Sequence, residues 1–266
     1  MINAYWSPLF RPTVHQESAM RVQQHSLFLA SLLGDVIEGH VLPAGMQRPY
    51  VWGKADVEAF FDSILQGFPV GGFLYWQPDQ HADLSKLGKT RLGPISASAT
   101  VDAWSPKQLL LDGQNRLATI AWAFAVGDAP DLEYSQAERD TWLDGQVLVV
   151  DGATKSIIFV PKSEADIGLR LPAWTITSAS GTVHSQAMRL MREREKTVWA
   201  GFPEVQLDEF LGFWDACSRA FQGARVVATV IEDATPEQAR HAFLRICRVG
   251  VAMSAEDFDN ALQWAA

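Results

Sequence analysis

The chain has 266 residues, 48% of them hydrophobic and 20% charged, and a formal net charge of -9. That much apolar material supports a sizeable core and excludes a disordered chain. The acidic balance excludes a protein that coats nucleic acid through bulk charge, although a local basic cleft is still allowed, because affinity follows the phosphates contacted.

Residues 1–25, with Pro8 and Pro12, read as an N-terminal arm or added helix, and residues 26–266 as one domain. From Ser26 to Ile37 the apolar residues Phe28, Leu29, Leu32, Leu33, Val36 and Ile37 have helical spacing, and Gly39 stops the run. Val41-Leu42-Pro43 reads as a short strand. Val57, Phe60, Phe61 and Ile64 then define an amphipathic helix over 54–66. Gly67-Phe68-Pro69-Val70-Gly71-Gly72 breaks it and leads into a strand at 73–76. Residues 77–107 form a long excursion with room for a hairpin. Gln108-Leu109-Leu110-Leu111 is a buried strand that runs into Asp112-Gly113, after which Leu117, Ile120, Ala121 and Phe124 resume helical spacing. Residues 147–150 and 157–160 flank Asp151-Gly152 as a hairpin. Helices are expected over about 185–199, 206–222, 236–247 and 255–264, with a strand at 225–231. The fold class is α+β, with a helical C-terminal portion over about 185–266.

Cys217 and Cys247 are too few for a disulfide scaffold and fit a reduced, cytoplasmic setting. The segment Met1-Ile2-Asn3-Ala4-Tyr5-Trp6 does not read as a signal peptide, and no apolar run approaches the roughly 18 residues of a spanning helix. No membrane partner is expected.

Chemistry concentrates in two segments. In Leu111-Asp112-Gly113-Gln114-Asn115-Arg116-Leu117 a strand enters, Gly113 permits a tight turn, and a helix opens on donor-rich side chains. A helix N-terminus favours an anion, Arg116 offers a bidentate grip on phosphate, and Asp112 could hold a divalent metal or orient a water. From these residues alone, an ordinary capped turn is the commoner reading of such a junction. In the loop Gln47-Arg48-Pro49-Tyr50-Val51-Trp52, Arg48 could meet the same anion and Tyr50 or Trp52 could stack on a base. Tyr50 and Trp52 as core plugs, with Arg48 paired to a carboxylate, is the other reading.

The order of these segments carries a resemblance. Pro43, Gln47-Arg48, Tyr50 and Trp52 come first, followed by Asp62-Ser63-Ile64, Gly67-Phe68-Pro69-Val70-Gly71 and Asp112-Gly113-Gln114-Asn115-Arg116. This series resembles the DUF262 family of GmrSD-type restriction proteins, which share an Asp-Gly-Gln-Gln-Arg motif. A weaker echo lies in Phe243-Leu244-Arg245-Ile246-Cys247-Arg248-Val249-Gly250. The resemblance implies a ParB/sulfiredoxin-like mixed sheet and a site that binds a nucleoside triphosphate with Mg²⁺ and hydrolyses it. Asp112, Gln114 and Arg116 would be catalytic, with Asp112 also a metal ligand. Gln47, Arg48, Tyr50, Gly113, Asn115 and Arg245 would bind the nucleotide. It also implies restriction of modified phage DNA beside a separately encoded HNH-type nuclease. Asn115 in place of the second Gln and Cys247 in place of Asn depart from the family pattern.

Three functions compete: a nucleotide-hydrolysing restriction subunit, a non-enzymatic reader of modified DNA, and a metal-dependent DNA-nicking protein. The six histidines are scattered without paired metal-ligand spacing. Trp76, Trp104, Trp122 and Trp174 are expected mostly in the core, and Cys247 as a small buried hydrophobe. The run Arg189-Leu190-Met191-Arg192-Glu193-Arg194-Glu195-Lys196 reads as a solvated helix face, and His241 and Arg245, one turn apart, as surface residues that could reach the cleft. A homo-oligomer is left open.

Overall fold

The computed structural model describes residues 20–37, 39–47, 50–78, 84–89, 91–92, 95–98, 107–124, 133–134, 136–177 and 181–248. In chain order these form β1 (Arg21–Phe28), α1 (Leu29–Ile37), β2 (Val41–Pro43), α2 (Lys54–Leu65), β3 (Phe73–Gln77) and α3 (Leu84–Leu87). Next come β4 (Arg91–Leu92), β5 (Ile95–Ser98), β6 (Gln108–Asp112), α4 (Gln114–Phe124), β7 (Glu133–Tyr134) and α5 (Gln136–Leu143). The chain continues through β8 (Gln146–Asp151), β9 (Ser156–Pro161), β10 (Arg170–Pro172), α6 (Gly181–Lys196), α7 (Glu204–Gly223), β11 (Arg225–Glu232) and α8 (Pro236–Arg248). The fold is α+β around a mixed sheet, as expected.

That sheet has the order β1-β11-β3-β6-β2. The β11/β3 and β2/β6 pairs are parallel, whereas β1/β11 and β3/β6 are antiparallel. β3 and β6 lie at its centre, and their apolar runs are buried on both sides of the sheet, which is why they alternate so little. Phe73, Tyr75 and Leu110 face a core shared with α1, α2, α4 and α7. Leu74, Trp76, Leu109 and Leu111 face a smaller core that includes Leu84 of α3 and Ala239 of α8. From Leu117 to Phe124 every residue of α4 is buried, so this helix runs through the main core.

α2 begins where the Asp56 carboxylate accepts the Gly53 N–H at 2.8 Å. It ends at Gly67, whose φ of +74° suits the left-handed turn after a helix. Its buried residues are Val57, Phe60, Phe61 and Ile64, the four that define its apolar stripe. The hairpin expected in the excursion is β4/β5, extended by β7.

Two expectations change. Ser26–Phe28 belong to β1 and not to the helix, which starts at Leu29. Residues 21–25, expected in an arm, pair with β11 in the same strand. The reason is long-range: Leu27 lies opposite Val226, and the Leu29 N–H bonds to the Ala224 carbonyl at 2.9 Å. Pairing with a strand two hundred residues away outweighs local helical spacing. The rest of the proposed arm (1–19), Trp104, Arg48 and the last proposed helix lie outside the described residues.

β8 and β9 form the expected hairpin, and β10 completes a three-stranded sheet. Asp151 closes its turn. It is 1% exposed, accepts hydrogen bonds from the Thr154 hydroxyl (2.8 Å) and N–H (3.2 Å), and pairs with Arg170 at 2.9 Å. Burial works to raise its pKa, yet the Arg170 and Thr154 hydrogen bonds hold the carboxyl below its ordinary value. A depressed folded pKa means that this stabilisation is present above the unfolded value of about 4 and is lost as pH falls through the folded pKa. Asp151→Asn should therefore cost about 3 kcal/mol at neutral pH. Urea midpoints of wild type and variant should converge below about pH 4; a gap undiminished at acid pH would contradict this account.

Candidate functional site

At the end of β6 the chain turns sharply at Gly113 and enters α4 on Gln114. Gly113 has a φ of +102°, and a Cβ there would lie 2.6 Å from Phe73 Cδ1. A glycine is thus required twice over, by conformation and by the ring packed against it. The first intrahelical bond runs from Leu117 N–H to the Gly113 carbonyl at 3.0 Å. The N–H groups of Gln114, Asn115 and Arg116 consequently have no partner within the helix and aim its positive end outward.

Arg116 is held from behind. Its Nη2 donates to the Gly72 carbonyl at 2.6 Å and lies 3.8 Å from the Asp112 carboxylate, and its guanidinium sits over the Phe73 ring at 5.4 Å. Gly71, with φ +84°, makes this approach possible, because a Cβ there would meet Arg116 Nη1 at 3.0 Å. Gly71, Gly72 and Phe73 are therefore the cradle of Arg116. Arg116 Nε is buried without a partner.

Gln114 is 6% exposed, and its Oε1 has no hydrogen-bond partner. The assignment of oxygen and nitrogen in such an amide follows its neighbours, so this end can equally present a donor to a ligand. The Asp112 side chain, by contrast, is 53% exposed. Gln47 donates from Nε2 to the Leu110 carbonyl at 3.0 Å, which pins the loop after β2 to β6. Lys89 donates to the Gln47 carbonyl, and burial draws its pKa down. The Asn115 Oδ1 accepts the Val51 N–H at 3.3 Å, so the shorter amide at this position tethers the neighbouring loop.

Gln47, Trp52, Asp112, Gly113, Gln114, Asn115 and Arg116 line one cleft of about 140 Å³. That is below the roughly 300–1,000 Å³ of sites enclosing drug-sized ligands, and suits an anionic group and its waters. The site residues expected from sequence mostly converge here. Tyr50 does not line the cleft. Its hydroxyl meets the Thr119 hydroxyl at 2.8 Å and receives the Trp122 indole N–H at 3.4 Å, and burial pushes its pKa up. It plugs the core, as does Trp122, while Trp76 bonds to the Ala234 carbonyl at 2.9 Å. Arg245 and His241 are exposed on α8, and neither lines the cleft. Arg194, expected on a solvated face, is 6% exposed and paired with Asp166. The Cys217 thiol is pushed up to about 12 by burial, which leaves it unreactive. The side chain of Cys247 lies outside the described residues. Phe73, Gly71, Gly72 and Lys89 support the site although sequence reasoning does not place them there; the Gly71-Gly72 pair itself is the signal that points to the first three.

Residues 29–262 match the family described as GmrSD restriction endonuclease, N-terminal domain. The chain belongs to this family. An uncharacterised protein of Methanocaldococcus jannaschii is 25% identical over 144 residues, covering 54% of this chain and 24% of that protein. The match therefore spans about a quarter of the relative's length. Among the described residues no helix is long and apolar enough to cross a membrane, and no group of three or more His, Cys, Asp or Glu residues could hold a metal by itself.

Gly113→Ala should lower stability by about 2 kcal/mol or more, since it combines left-handed strain with overlap onto a buried ring. Gly67→Ala, at φ +74° with nothing within 4 Å, should cost only about 1 kcal/mol. Thermal denaturation of the two variants checks the difference; equal losses would show that Phe73 yields.

Proposed function

We propose that the chain is the nucleotide-binding subunit of a bacterial DNA-restriction system, that it hydrolyses a nucleoside triphosphate, and that a separately encoded HNH-type nuclease cuts the DNA. The observation that carries this reading is the single cleft shared by Gln47 and Asp112–Arg116 at the N-terminus of a buried helix. Three N–H groups without an intrahelical partner and the helix dipole offer an anion site, and the buried Gln114 Oε1, which has no hydrogen-bond partner, is a second feature pointing at a ligand. The family's description as a restriction-endonuclease domain agrees with this assignment.

Each side chain has a part. The α4 N–H groups and the Gln114 amide would grip phosphate oxygens. Arg116 would bring positive charge to one wall of the cleft, held rigid by Gly72 and Phe73, where preorganised charge is most effective. The exposed Asp112 carboxylate fits Mg²⁺, which commonly takes one or two carboxylates plus phosphates and keeps several waters. When bound, that ion would neutralise phosphate charge. Asp112 would also orient an attacking water.

The small cleft also fits one DNA backbone phosphate, the basis of the alternative reading as a recognition module. The net charge of -9 weighs against DNA binding by this chain alone.

Isothermal titration with ATP, GTP, CTP and UTP plus Mg²⁺, followed by phosphate-release assays, tests the assignment. Gln114→Leu, which keeps the volume and removes the amide, should weaken binding about tenfold. Asp112→Asn should retain much of the binding and slow hydrolysis about 100-fold. A folded wild-type protein that binds none of the four nucleotides, yet binds DNA with steep salt dependence, would overturn the proposal in favour of the recognition module.

A further inference from the structure

The two edges of the central sheet are built differently. β2 closes one with three buried residues and ends on Pro43. Among the described residues β1 forms the other, and its eight residues pair with β11 in a register unbroken from Arg21 to Phe28. Seven of the eight are exposed and only Leu27 is partly buried, so β1 is open to solvent on both faces. Ordering a strand costs about 1–2 kcal/mol per residue, and β1 offsets this through its ladder to β11 with little apolar burial. The usual guards of an edge strand are missing from it. Arg21–Phe28 holds no Pro, Gly or Lys and makes no bulge. Its one formal charge, Arg21, sits at the end and is occupied by Asp233 at 2.8 Å and Glu232 at 3.4 Å. On one face Met20, Val22 and Phe28 are exposed apolar residues, beside the exposed Val227 of β11.

We infer that β1 pairs edge to edge with β1 of a second copy of this chain, antiparallel about a two-fold axis, joining two five-stranded sheets into one. The charges of the strand favour this partner. At the Arg21 end two carboxylates, Glu232 and Asp233, meet one guanidinium and leave a negative excess. At the Phe28 end stands Arg225, whose guanidinium lies 4.1 Å from the Phe28 ring centroid. An antiparallel copy sets each end beside its opposite, whereas a parallel copy sets like beside like. Symmetry also restricts the register. A two-fold axis relating adjacent antiparallel strands runs perpendicular to the sheet and preserves its faces, so each residue opposes one from its own face. For near-complete overlap of β1 the axis then passes at Gln24 or at His25, each opposite itself. With the axis at Gln24, Met20 lies opposite Phe28 of the second copy; with it at His25, Val22 does. Exposed apolar residues meet in both. The Asp112–Arg116 cleft opens at the end of β6, three strands from β1, so this pairing is independent of the phosphate reading.

Sedimentation velocity of the full chain should show a species of twice the chain mass forming between about 1 and 100 μM. Val22→Lys puts a charge at a position 56% exposed, and should weaken the dimer about tenfold or more while the melting temperature stays near wild type. Cysteines then read the register. Opposed Cα atoms of antiparallel strands lie about 4.5–5.5 Å apart, within reach of a disulfide. Under mild oxidation Gln24→Cys or His25→Cys should therefore cross-link into a covalent dimer, and Arg21→Cys, far from the axis, should not. Cys217 is buried, and the wild type oxidised alongside gives the background. Three results overturn the pairing: a wild type still monomeric at about 100 μM, a dimer that Val22→Lys leaves at full strength, or one that neither Gln24→Cys nor His25→Cys captures. If Val22→Lys does not fold, the cysteine variants alone decide.

Discussion

The short hydrogen bond from Arg116 to the Gly72 carbonyl, 2.6 Å long, ties the first turn of α4 to the entry of β3. Much of the site depends on it. A guanidinium comes this close to backbone where no side chain intervenes, and Gly71 provides that gap. The Phe73 ring then fills the space beneath both Arg116 and Gly113. Strand, turn and helix are thus locked by one side chain that reaches back across the sheet. The consequence is rigidity: the helix N-terminus and Asp112 are presented at fixed positions, so under the proposed function a bound anion would meet donors that need little reorganisation.

The opposite wall is built on the same plan. Gln47 is fastened to the Leu110 carbonyl, Lys89 fastens the Gln47 carbonyl, and Asn115 fastens Val51. Tyr50 then anchors the loop in the core through Thr119 and Trp122. A loop rich in aromatic and polar residues, which could have been a mobile binding segment, is instead pinned at several points. Trp52 is the aromatic of this loop that reaches the cleft, while its ring also packs against Phe60 of α2.

Much of this architecture is legible in the amino-acid sequence. The Asp112–Arg116 junction places its residues at a strand end and a helix start because an apolar run, a glycine and a helical stripe follow one another without a gap. The helices and hairpin from Lys54 onward follow the same logic. The division of labour among aromatics is not legible. Tyr50 and Trp52 stand two residues apart in a loop, and only the position of Thr119 on a facing helix turns Tyr50 inward. Family resemblance alone puts Arg245 in the site, yet α8 packs on the far side of the sheet from α4. The β1 segment departs from its local pattern for a related reason: residues 26–28 have helical spacing, but their partner strand comes from the other end of the chain.

By itself, the sequence determined what depends on neighbours along the chain: the α+β class, most helix and strand positions, the glycine turn before α4, and the family. Periodicity and backbone conformation are local properties, so they survive in one dimension. Only the tertiary structure decided which elements adjoin: that Gly71 and Gly72 cradle Arg116, and that Gln47 and Asp112 share a wall. Those contacts join residues tens of positions apart, and their identity is set by packing of the whole sheet, which no local pattern encodes.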